Sequence, residues 1–351
     1  MEAFVRRGQK VLIKPNLLSA NAPAKAVTTH PDVVSGVIRL VRECGGLPLI
    51  GDSPGVGSSR AVAEKCGILG VVRATGAKLV PFEEALPFPH EIGPFRRLEV
   101  AREALEADVI INLPKLKTHQ MMGMTGAVKN LFGLVVGFRK ANLHLRAGSD
   151  KALFALMLLE LARHAAPALT VVDAVVAMEG NGPGSGDPVR VGALLAGVNP
   201  VAVDTAALTL LGLRPDSVWT HQVALRQGLP GTLPEQLELF GPALESLRPP
   251  RFRPAPDGDI TFGIPAMLRP VLKKSLTALP AVDPAKCLAC GICQRHCPVG
   301  AISIQKGRLQ IDCRSCIGCF CCQELCPEGA IEARQGALLR LQEWWRARRR
   351  K

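Results

Sequence analysis

Eight cysteines near the C-terminus form the clearest chemical pattern in the sequence. They fall into two runs of the form C-x2-C-x2-C-x3-C followed by proline, and every cysteine of the second run lies 29 residues after its counterpart in the first. Three closely spaced thiolates bind one iron–sulfur cubane, and the fourth thiolate of each run binds the other. The spacing therefore predicts two [4Fe–4S] clusters, one held by Cys287, Cys290, Cys293 and Cys326 and the other by Cys316, Cys319, Cys322 and Cys297.

Zinc and disulfide bonds are the alternatives for such cysteines. Zinc sites also use C-x2-C pairs, but one ion needs only two pairs and neither the doubled pattern nor the prolines. Disulfide frameworks are typical of small secreted chains, whereas this chain has 351 residues and its first residues are not expected to be a secretory leader. We therefore favour the two clusters.

The remaining four cysteines do not fit the two runs. Cys44 and Cys66 lie in apolar helical surroundings, where a free cysteine behaves as a small buried hydrophobe. Cys313 and Cys321 lie beside the second run. Cys321 competes with its neighbour Cys322 as a ligand, but only Cys322 keeps the spacing of the run, so both extra cysteines are left out of the predicted ligand sets.

Strand-end polar residues form a second candidate site. In open α/β sheets, ligands bind outside the carboxyl ends of the strands, and the predicted strands are followed there by Lys, Asn, Asp and His. Lysines at such a crevice suit a phosphate or carboxylate, so we expect an anionic small molecule to contact Lys14, Asn16, Asp52, Lys115, Lys117, Lys129 and Asp173. Histidine titrates near neutral pH, so the candidate proton donors or acceptors are His119 and His144.

Each of these residues also has an ordinary structural explanation. Lysines after strands are often solvated, an Asp-Ser-Pro-Gly turn needs no ligand, and a single histidine is more often structural than catalytic. The glycine-rich turns at residues 55–57 and 180–186 match neither a phosphate-loop nor a dinucleotide fingerprint. The prediction therefore rests on the grouping of polar residues at one sheet edge.

The elements that must position these residues alternate between short β-rich runs and helical patterns over residues 11 to about 245, which favours a parallel α/β sheet. Strands are predicted at residues 11–13, 47–50, 78–81, 109–113 and 169–172. Helices are predicted at residues 32–43, 59–66, 98–106, 151–164 and 200–211.

Four segments follow from this pattern and from the distribution of proline. We expect an α/β domain with a mostly parallel sheet over residues 1–245, a Pro-rich connector over 246–280, a small α+β ferredoxin-like domain with two [4Fe–4S] clusters over 281–334, and a basic C-terminal helix or tail over 335–351. The first eight residues resemble the end of a helix, so either a preceding βα unit is missing or the fold starts here.

Composition narrows the classes of partner. The net charge of +13 suits an acidic redox partner protein, whose encounter it would steer. Nucleic acid is not expected, because aromatic residues make up only 4% of the chain, with no tyrosine, and no nucleic-acid-binding motif is present. No uninterrupted apolar run reaches the roughly 18 residues of a membrane span.

Location follows from the same composition. The C-terminal tail, with Trp344 and Trp345 before a basic end, resembles an interfacial helix, but such tails more often pack on the protein, so membrane association is not expected. Twelve cysteines without an expected leader favour a reducing compartment. We predict a cytoplasmic protein.

Several short motifs together resemble a known family. The chain is similar to the iron–sulfur family known as domain of unknown function 362, often fused to a two-cluster ferredoxin, in the segments KPN at 14–16, GDSPG at 51–55, PKLKTH at 114–119, GAVKN at 126–130 with Gly133, and EGNGP at 179–183. The resemblance covers nearly the whole chain. It implies that these motifs line one pocket, and it implies no established reaction. Members usually begin with a further βα segment.

Three functions are compatible with these patterns. The first is a redox enzyme, in which the clusters exchange electrons with an anionic small molecule in a deep pocket facing one cluster. The second is an electron carrier or accessory protein that docks an acidic redox partner, with a shallow crevice and outward-facing clusters. The third is a binding protein in which the clusters are structural. Electron transfer through two clusters is the prediction common to the first two, and the enzyme is slightly favoured.

Overall fold

Eight strands form one large sheet in the computed structural model, which describes residues 1–90, 93–256 and 277–336. The strand order is β3-β2-β1-β6-β9-β7-β8, with β10 paired to β9; β8 and β10 are antiparallel to their neighbours and the other pairs are parallel. The strands are β1 Lys10–Pro15, β2 Leu47–Ile50, β3 Lys78–Leu79, β6 Val109–Leu113, β7 Lys115–His119, β8 Gly123–Thr125, β9 Leu169–Glu179 and β10 Asp187–Gly197. A separate hairpin pairs β4 Ala85–Pro87 with β5 Glu99–Ala101.

Helices cover both faces of this sheet. Val11 and Ile13 belong to a core with α1, α2 and α3, whereas Leu12 belongs to the core on the opposite face with α6 and α7. Parallel strands buried on both faces read as continuous apolar runs, which is why the sequence locates them. The helices are α1 Pro31–Glu43, α2 Ser59–Lys65, α3 Ile68–Thr75, α4 Arg102–Leu105, α5 Ala127–Asn130, α6 Arg139–Ala147, α7 Lys151–Ala165, α8 Pro200–Leu211 and α9 Trp219–Arg226.

Two predicted elements differ from the structure. A helix was expected over residues 98–106, but Glu99–Ala101 forms β5 and only Arg102–Leu105 is helical, because pairing with β4 overrides the local pattern. The segment after β6 was expected to be the polar end of that strand. It forms β7 instead, which pairs with the far half of β9, so Lys115 and Lys117 lie on one face of a strand.

The C-terminal part, which we term the cysteine module (residues 277–336), repeats its structure as well as its sequence. Its helices α10 Ile292–Arg295 and α11 Cys321–Glu324 are 29 residues apart. Positive φ angles recur at the same offset, at Gly291 and Phe320 and again at Gly300 and Gly329. Two antiparallel pairs complete the module: β11 Ala278–Val282 with β14 Ile331–Gln335, and β12 Ile302–Gln305 with β13 Arg308–Ile311.

The predicted fold class is confirmed: an α/β part with a mostly parallel sheet is joined to a small ferredoxin-like module. Residues 257–276 of the expected connector, and all but the first two residues of the expected C-terminal helix (337–351), lie outside the described residues. Within the described part, no helix combines the length and apolar character needed to cross a membrane.

The cysteine module packs directly on the α/β part. Phe320 and Cys321 belong to the same hydrophobic core as residues of α6 and α7. The Gln323 side-chain amide donates a hydrogen bond to the Asn181 side-chain oxygen, and the rings of Phe138 and His296 stack with centroids 5.3 Å apart. These contacts place α11 opposite the carboxyl ends of the strands.

Candidate functional site

A cavity of about 260 Å³ lies at the carboxyl ends of the strands, between the sheet and the cysteine module. The strand ends supply one wall, α5 and α6 supply a second, and α11 closes the third. Its polar lining residues are Asn16, Asp52, Ser53, Lys117, Thr125, Lys129, Asn130, Lys140, His144, His296, Cys321 and Glu324, and its apolar ones include Leu18, Val56, Phe132, Phe138 and Leu325. The cavity thus combines cationic and apolar surfaces.

Two buried ion pairs lie at the edge of the sheet behind or beside the cavity. Lys14 Nζ is 2.8 Å from Asp52 Oδ1, and Lys115 Nζ is 2.8 Å from Asp173 Oδ2. Burial lowers the pKa of both lysines, and the partner carboxylates oppose that shift. These two lysines therefore have counter-ions inside the protein, and neither lines the cavity.

Lys117 is buried, and no carboxylate in the described part of the chain contacts its side-chain nitrogen. Its Nζ donates hydrogen bonds to Asn16 Oδ1 at 3.0 Å and to the Val27 carbonyl oxygen at 2.6 Å. Burial lowers the pKa of Lys117 to about 7; Glu324 opposes this shift, and the charges of Lys129 and Lys115 add to it.

Two further lysines border the cavity. Lys129 Nζ lies 5.3 Å from the centroid of the Phe132 ring, and within the described residues it has no carboxylate partner. Lys140 donates to the carbonyl oxygens of Ser53 and Pro54, and burial lowers its pKa to about 8. Lys129 is therefore the cation best placed to bind an incoming anion.

The two predicted histidines have different positions. His144 lines the cavity and stacks on Phe154 with ring centroids 4.3 Å apart. Its Nδ1 atom has no hydrogen-bond partner among the described residues. Burial lowers the pKa of His144 to about 3, and Lys129 and Lys140 add to this shift. The imidazole is therefore neutral at physiological pH.

His119 lies behind the cavity wall. Its Nδ1 accepts hydrogen bonds from the backbone N–H groups of Met121 and Met122, at 3.1 and 3.3 Å, so the proton of the neutral ring is assigned to Nε2. Nε2 lies 3.9 Å from Glu324 Oε2, and burial holds the pKa of His119 well below its usual range. This arrangement places His119 beneath a wall residue of the cavity.

The structure brings together five of the nine predicted strand-end residues around the cavity: Asn16, Asp52, Lys117, Lys129 and His144. The other four, Lys14, Lys115, His119 and Asp173, do not line it. Sequence reasoning missed Lys140 and the whole wall from the cysteine module, including Glu324. No local pattern marks that wall, because it depends on how two distant segments dock.

The cysteines of the two runs approach one another across the module. Burial raises the pKa of the Cys293 thiol to about 11, and nearby Cys326, Cys290 and Cys287 add to the shift. Burial likewise raises the pKa of Cys316, with contributions from cysteines that include Cys319 and Cys297. The positive charge of a bound cluster's iron ions would stabilise the thiolates and so compensate for the raised pKa values.

Backbone donors also fit iron–sulfur ligands. The N–H groups of Ala301 and Ala330 donate to Cys297 Sγ at 3.2 Å and to Cys326 Sγ at 3.3 Å, at equivalent places in the two halves. Hydrogen bonds to the ligand sulfurs help to set cluster potentials. Among the described residues, no group of three or more His, Cys, Asp or Glu side chains is placed to hold a metal ion.

Comparisons with known proteins agree with these observations. The model of the domain of unknown function family DUF362 matches residues 11–209, and that of a 4Fe–4S binding domain matches residues 280–303. The thylakoid-associated protein sll1697 of Synechocystis sp. is 41% identical over 273 residues, which are 78% of this chain and 85% of that protein.

A solved structure, the lactate racemase apoprotein from Thermoanaerobacterium thermosaccharolyticum, is similar with a TM-score of 0.42 and 14% identity. The similarity covers 59% of this chain and 50% of that one, and at this level it carries no argument about function. The family match and the 41% identical relative decide the assignment. The chain belongs to the DUF362 family and carries a 4Fe–4S binding domain in its C-terminal part.

Proposed function

We propose that this protein is an iron–sulfur oxidoreductase that passes electrons through two [4Fe–4S] clusters to or from an anionic small molecule bound in the cavity. One observation carries the proposal: the cavity is lined by strand-end cations on one side and by α11 on the other. Because α11 contains Cys322 and lies between Cys319 and Cys326, a molecule in the cavity is next to a predicted cluster.

The cysteines of the two predicted ligand sets differ in solvent exposure. This difference suggests a route for electrons between the protein surface and the cavity. In the first set Cys290 is exposed and Cys293 is buried, whereas in the second Cys319 and Cys322 are both buried, Cys319 in the core shared with α6 and α7 and Cys322 in the module's own core. Leu288, beside the first set, is 71% exposed. We assign the outer cluster to exchange with a redox partner protein and the inner cluster to exchange with the bound molecule.

The cavity residues have distinct roles in this proposal. Lys129 supplies the positive charge for the anion, because its ammonium group has no internal counter-ion in the described part of the chain. His144 is neutral near pH 7, so it contributes hydrogen bonds from its free ring nitrogen and not a positive charge. His119 acts from behind, beside Glu324.

The second candidate function is a non-catalytic electron carrier. The exposed Leu288 and the net charge of +13 suit docking of an acidic redox partner. The cavity is what distinguishes the two candidates, since a carrier has no need of a cationic pocket beside its inner cluster. The relative's printed name associates it with thylakoids, so a cytoplasmic location for this chain remains a prediction.

The test begins with the protein purified without oxygen. Two cubanes require about eight iron and eight sulfide per chain and coupled reduced-cluster signals in the EPR spectrum after dithionite reduction. Phosphate, pyruvate and phenylpyruvate are then added, and binding at the cavity should perturb the signal of the inner cluster.

Two variants make this test specific. Lys129→Gln should weaken the response to the anions about tenfold or more, as expected when a buried charge-assisted contact worth about 1.5–3 kcal/mol is lost. Lys65→Gln changes an exposed lysine far from the cavity and should respond as the unaltered protein does. Zinc in place of iron, or one cluster only, would overturn the two-cluster proposal. Full clusters that ignore every anion would leave the electron carrier as the better candidate.

A further inference from the structure

Lys117 differs from the other fully buried lysines in its hydrogen-bond partners. Lys14 and Lys115 each contact a carboxylate at 2.8 Å. Lys117 contacts two neutral oxygens, on Asn16 and Val27, and no carboxylate of the described residues lies within ion-pair distance. A buried ammonium without a counter-ion is strongly disfavoured, whereas a neutral amine in the same place is not.

The two partners match the needs of a neutral amine. A neutral primary amine has two N–H bonds and one lone pair. The two N–H bonds are accounted for by Asn16 Oδ1 at 3.0 Å and the Val27 carbonyl oxygen at 2.6 Å. The lone pair is then left for the cavity, which Lys117 borders. This is the arrangement of a nucleophile and not of an ion-pairing group.

The surrounding charges support the same protonation state. The groups that act on Lys117 are Glu324 on α11, Lys129 on α5, Lys115 on β7 and Asp52 after β2, and burial is the largest influence. Together they bring the pKa of Lys117 to about 7, so a large fraction of the amine is unprotonated at neutral pH. Desolvation and a neighbouring cation are known ways of activating a lysine towards carbonyl carbons.

The cavity also contains what a carbonyl compound with an acid group would need. Lys129 offers an ammonium group to a carboxylate. Leu18, Phe132 and Leu325 offer an apolar surface to a side chain. A 2-oxo acid carries a carboxylate, a carbonyl carbon and a side chain on adjacent atoms, so it matches all three features within a cavity of about 260 Å³.

We propose that Lys117 forms a Schiff base with a small 2-oxo acid whose carboxylate is bound by Lys129. The Nζ lone pair attacks the carbonyl carbon, and the carbonyl oxygen leaves as water with the two amine hydrogens, which gives the C=N bond. The step needs no oxidant or reductant. The inference rests on the proposed anion site, because the acid must bind in the cavity, but it does not depend on electron transfer.

The test traps the Schiff base in the anaerobic, cluster-containing protein. Pyruvate or phenylpyruvate is added with sodium cyanoborohydride, which reduces an iminium to a stable secondary amine. Intact mass and peptide mapping then count and locate the adduct. We expect one adduct per chain, at Lys117. Labelling of Lys117 should increase about tenfold between pH 6 and pH 8 and level off above pH 8, because the pKa of Lys117 lies between these values.

Three variants serve as controls. Lys117→Met removes the amine and adds no charge at this buried position, so the cavity adduct should disappear. Lys140→Arg changes the other cavity lysine of lowered pKa and should leave the adduct on Lys117. Lys129→Gln should slow trapping at low acid concentration. Mapping of the unaltered protein locates the adduct even where a variant does not fold.

The outcomes separate this inference from the proposed function. An adduct on Lys140, or adducts spread over exposed lysines, would overturn the role of Lys117. Absence of an adduct while pyruvate or phenylpyruvate perturbs the inner-cluster EPR signal would overturn the Schiff base and leave the oxidoreductase standing. If no acid either perturbs the signal or is trapped, both proposals fail.

Discussion

The buried Lys14–Asp52 pair gives the sharpest prediction about the strand-end site. Asp52→Asn preserves the shape of the side chain and removes its charge. In the structure Oδ1 is 2.8 Å from Lys14 Nζ, and Oδ2 accepts the Leu17 backbone N–H at 2.7 Å. The amide oxygen of asparagine can still accept from Leu17. The substitution therefore isolates the loss of the counter-ion from the loss of a hydrogen bond.

The expected cost follows from the burial of the pair. The side chains of Lys14 and Asp52 are 0% and 5% exposed. Removing one partner of such a pair lowers the free energy of unfolding by about 3–5 kcal/mol, because the other charge is left uncompensated. Lys14 can reduce this cost by losing its proton, and burial has already lowered its pKa.

Because Lys14 can lose its proton in Asp52→Asn, the loss of stability in this variant depends on pH. In the variant, folded Lys14 binds fewer protons than unfolded Lys14 across the pH range between their two pKa values. Stability in that range therefore rises with pH. The deficit of Asp52→Asn should be larger at pH 6 than at pH 9.

Urea unfolding of the anaerobic protein, followed by far-UV circular dichroism, measures these differences. Adding Lys14→Met to Asp52→Asn removes the uncompensated charge and should recover part of the loss. As a control, Asp216→Asn removes a carboxylate that is 67% exposed and lies 3.0 Å from Arg214, and it should change stability little. The reasoning is refuted if Asp52→Asn is no less stable than Asp216→Asn, or if the double variant is no more stable than the single.

Three further predictions concern other parts of the chain. Cys322→Ser should lose about half of the iron, whereas Cys321→Ser should keep it, as iron analysis would show. Gly133→Ala should lower the free energy of unfolding by about 1–3 kcal/mol, because its Cβ would overlap the Asp52 carboxylate. Gly36 lies in open space within α1, so the control Gly36→Ala should raise the free energy of unfolding by about 0.5–1 kcal/mol. Folded Lys117 binds fewer protons than unfolded lysine between about pH 7 and about pH 10, so its contribution makes the free energy of unfolding rise with pH over this range. Lys117→Met should lack this contribution, as urea unfolding at several pH values would show.

The strands and their polar ends could be predicted because both signals are local. The apolar runs at residues 11–13 and 109–113 fall in parallel strands that are buried on both faces, and the run at 47–50 falls in a parallel strand with one buried face. Asn16 and Asp52, which follow two of these strands, lie at the edge of one cavity in the structure; that they bind a ligand there stays a prediction.

The pairing of the strand-end lysines was not predicted, although a signal for it exists. Lys14 and Lys115 were expected to face an anionic ligand, and each contacts a carboxylate instead. Those carboxylates follow β2 or lie within β9, the neighbours of β1 and β7 in the sheet. Matching opposite charges between neighbouring strands would have found both pairs, but it requires the strand order, which a single sequence does not supply.

There is a physical reason why the sequence does not predict that α11 forms a wall of the cavity. Glu324 lies about two hundred residues from Lys117 along the chain, and their approach depends on docking of two separately patterned segments. Apolar periodicity identifies the buried face of an element but not the element that covers it. The expected helix over residues 98–106 fails for the same reason, because the partner strand β4 decides the conformation.

The two halves of the cysteine module share their predicted ligand cysteines and backbone geometry but differ at positions of the two helices. At equivalent positions, Ile292 is replaced by Cys321, and Arg295 by Glu324. The second half therefore supplies Cys321, Glu324 and Leu325 to the cavity wall, while the first half contributes His296 and carries the exposed Cys290 and Leu288. Because cluster binding to the predicted ligands would be coupled to folding of the module, we expect cluster insertion to complete the cavity as well. We expect maturation to be ordered: a chain awaiting its iron has an open crevice, and only the loaded chain can retain a small acid.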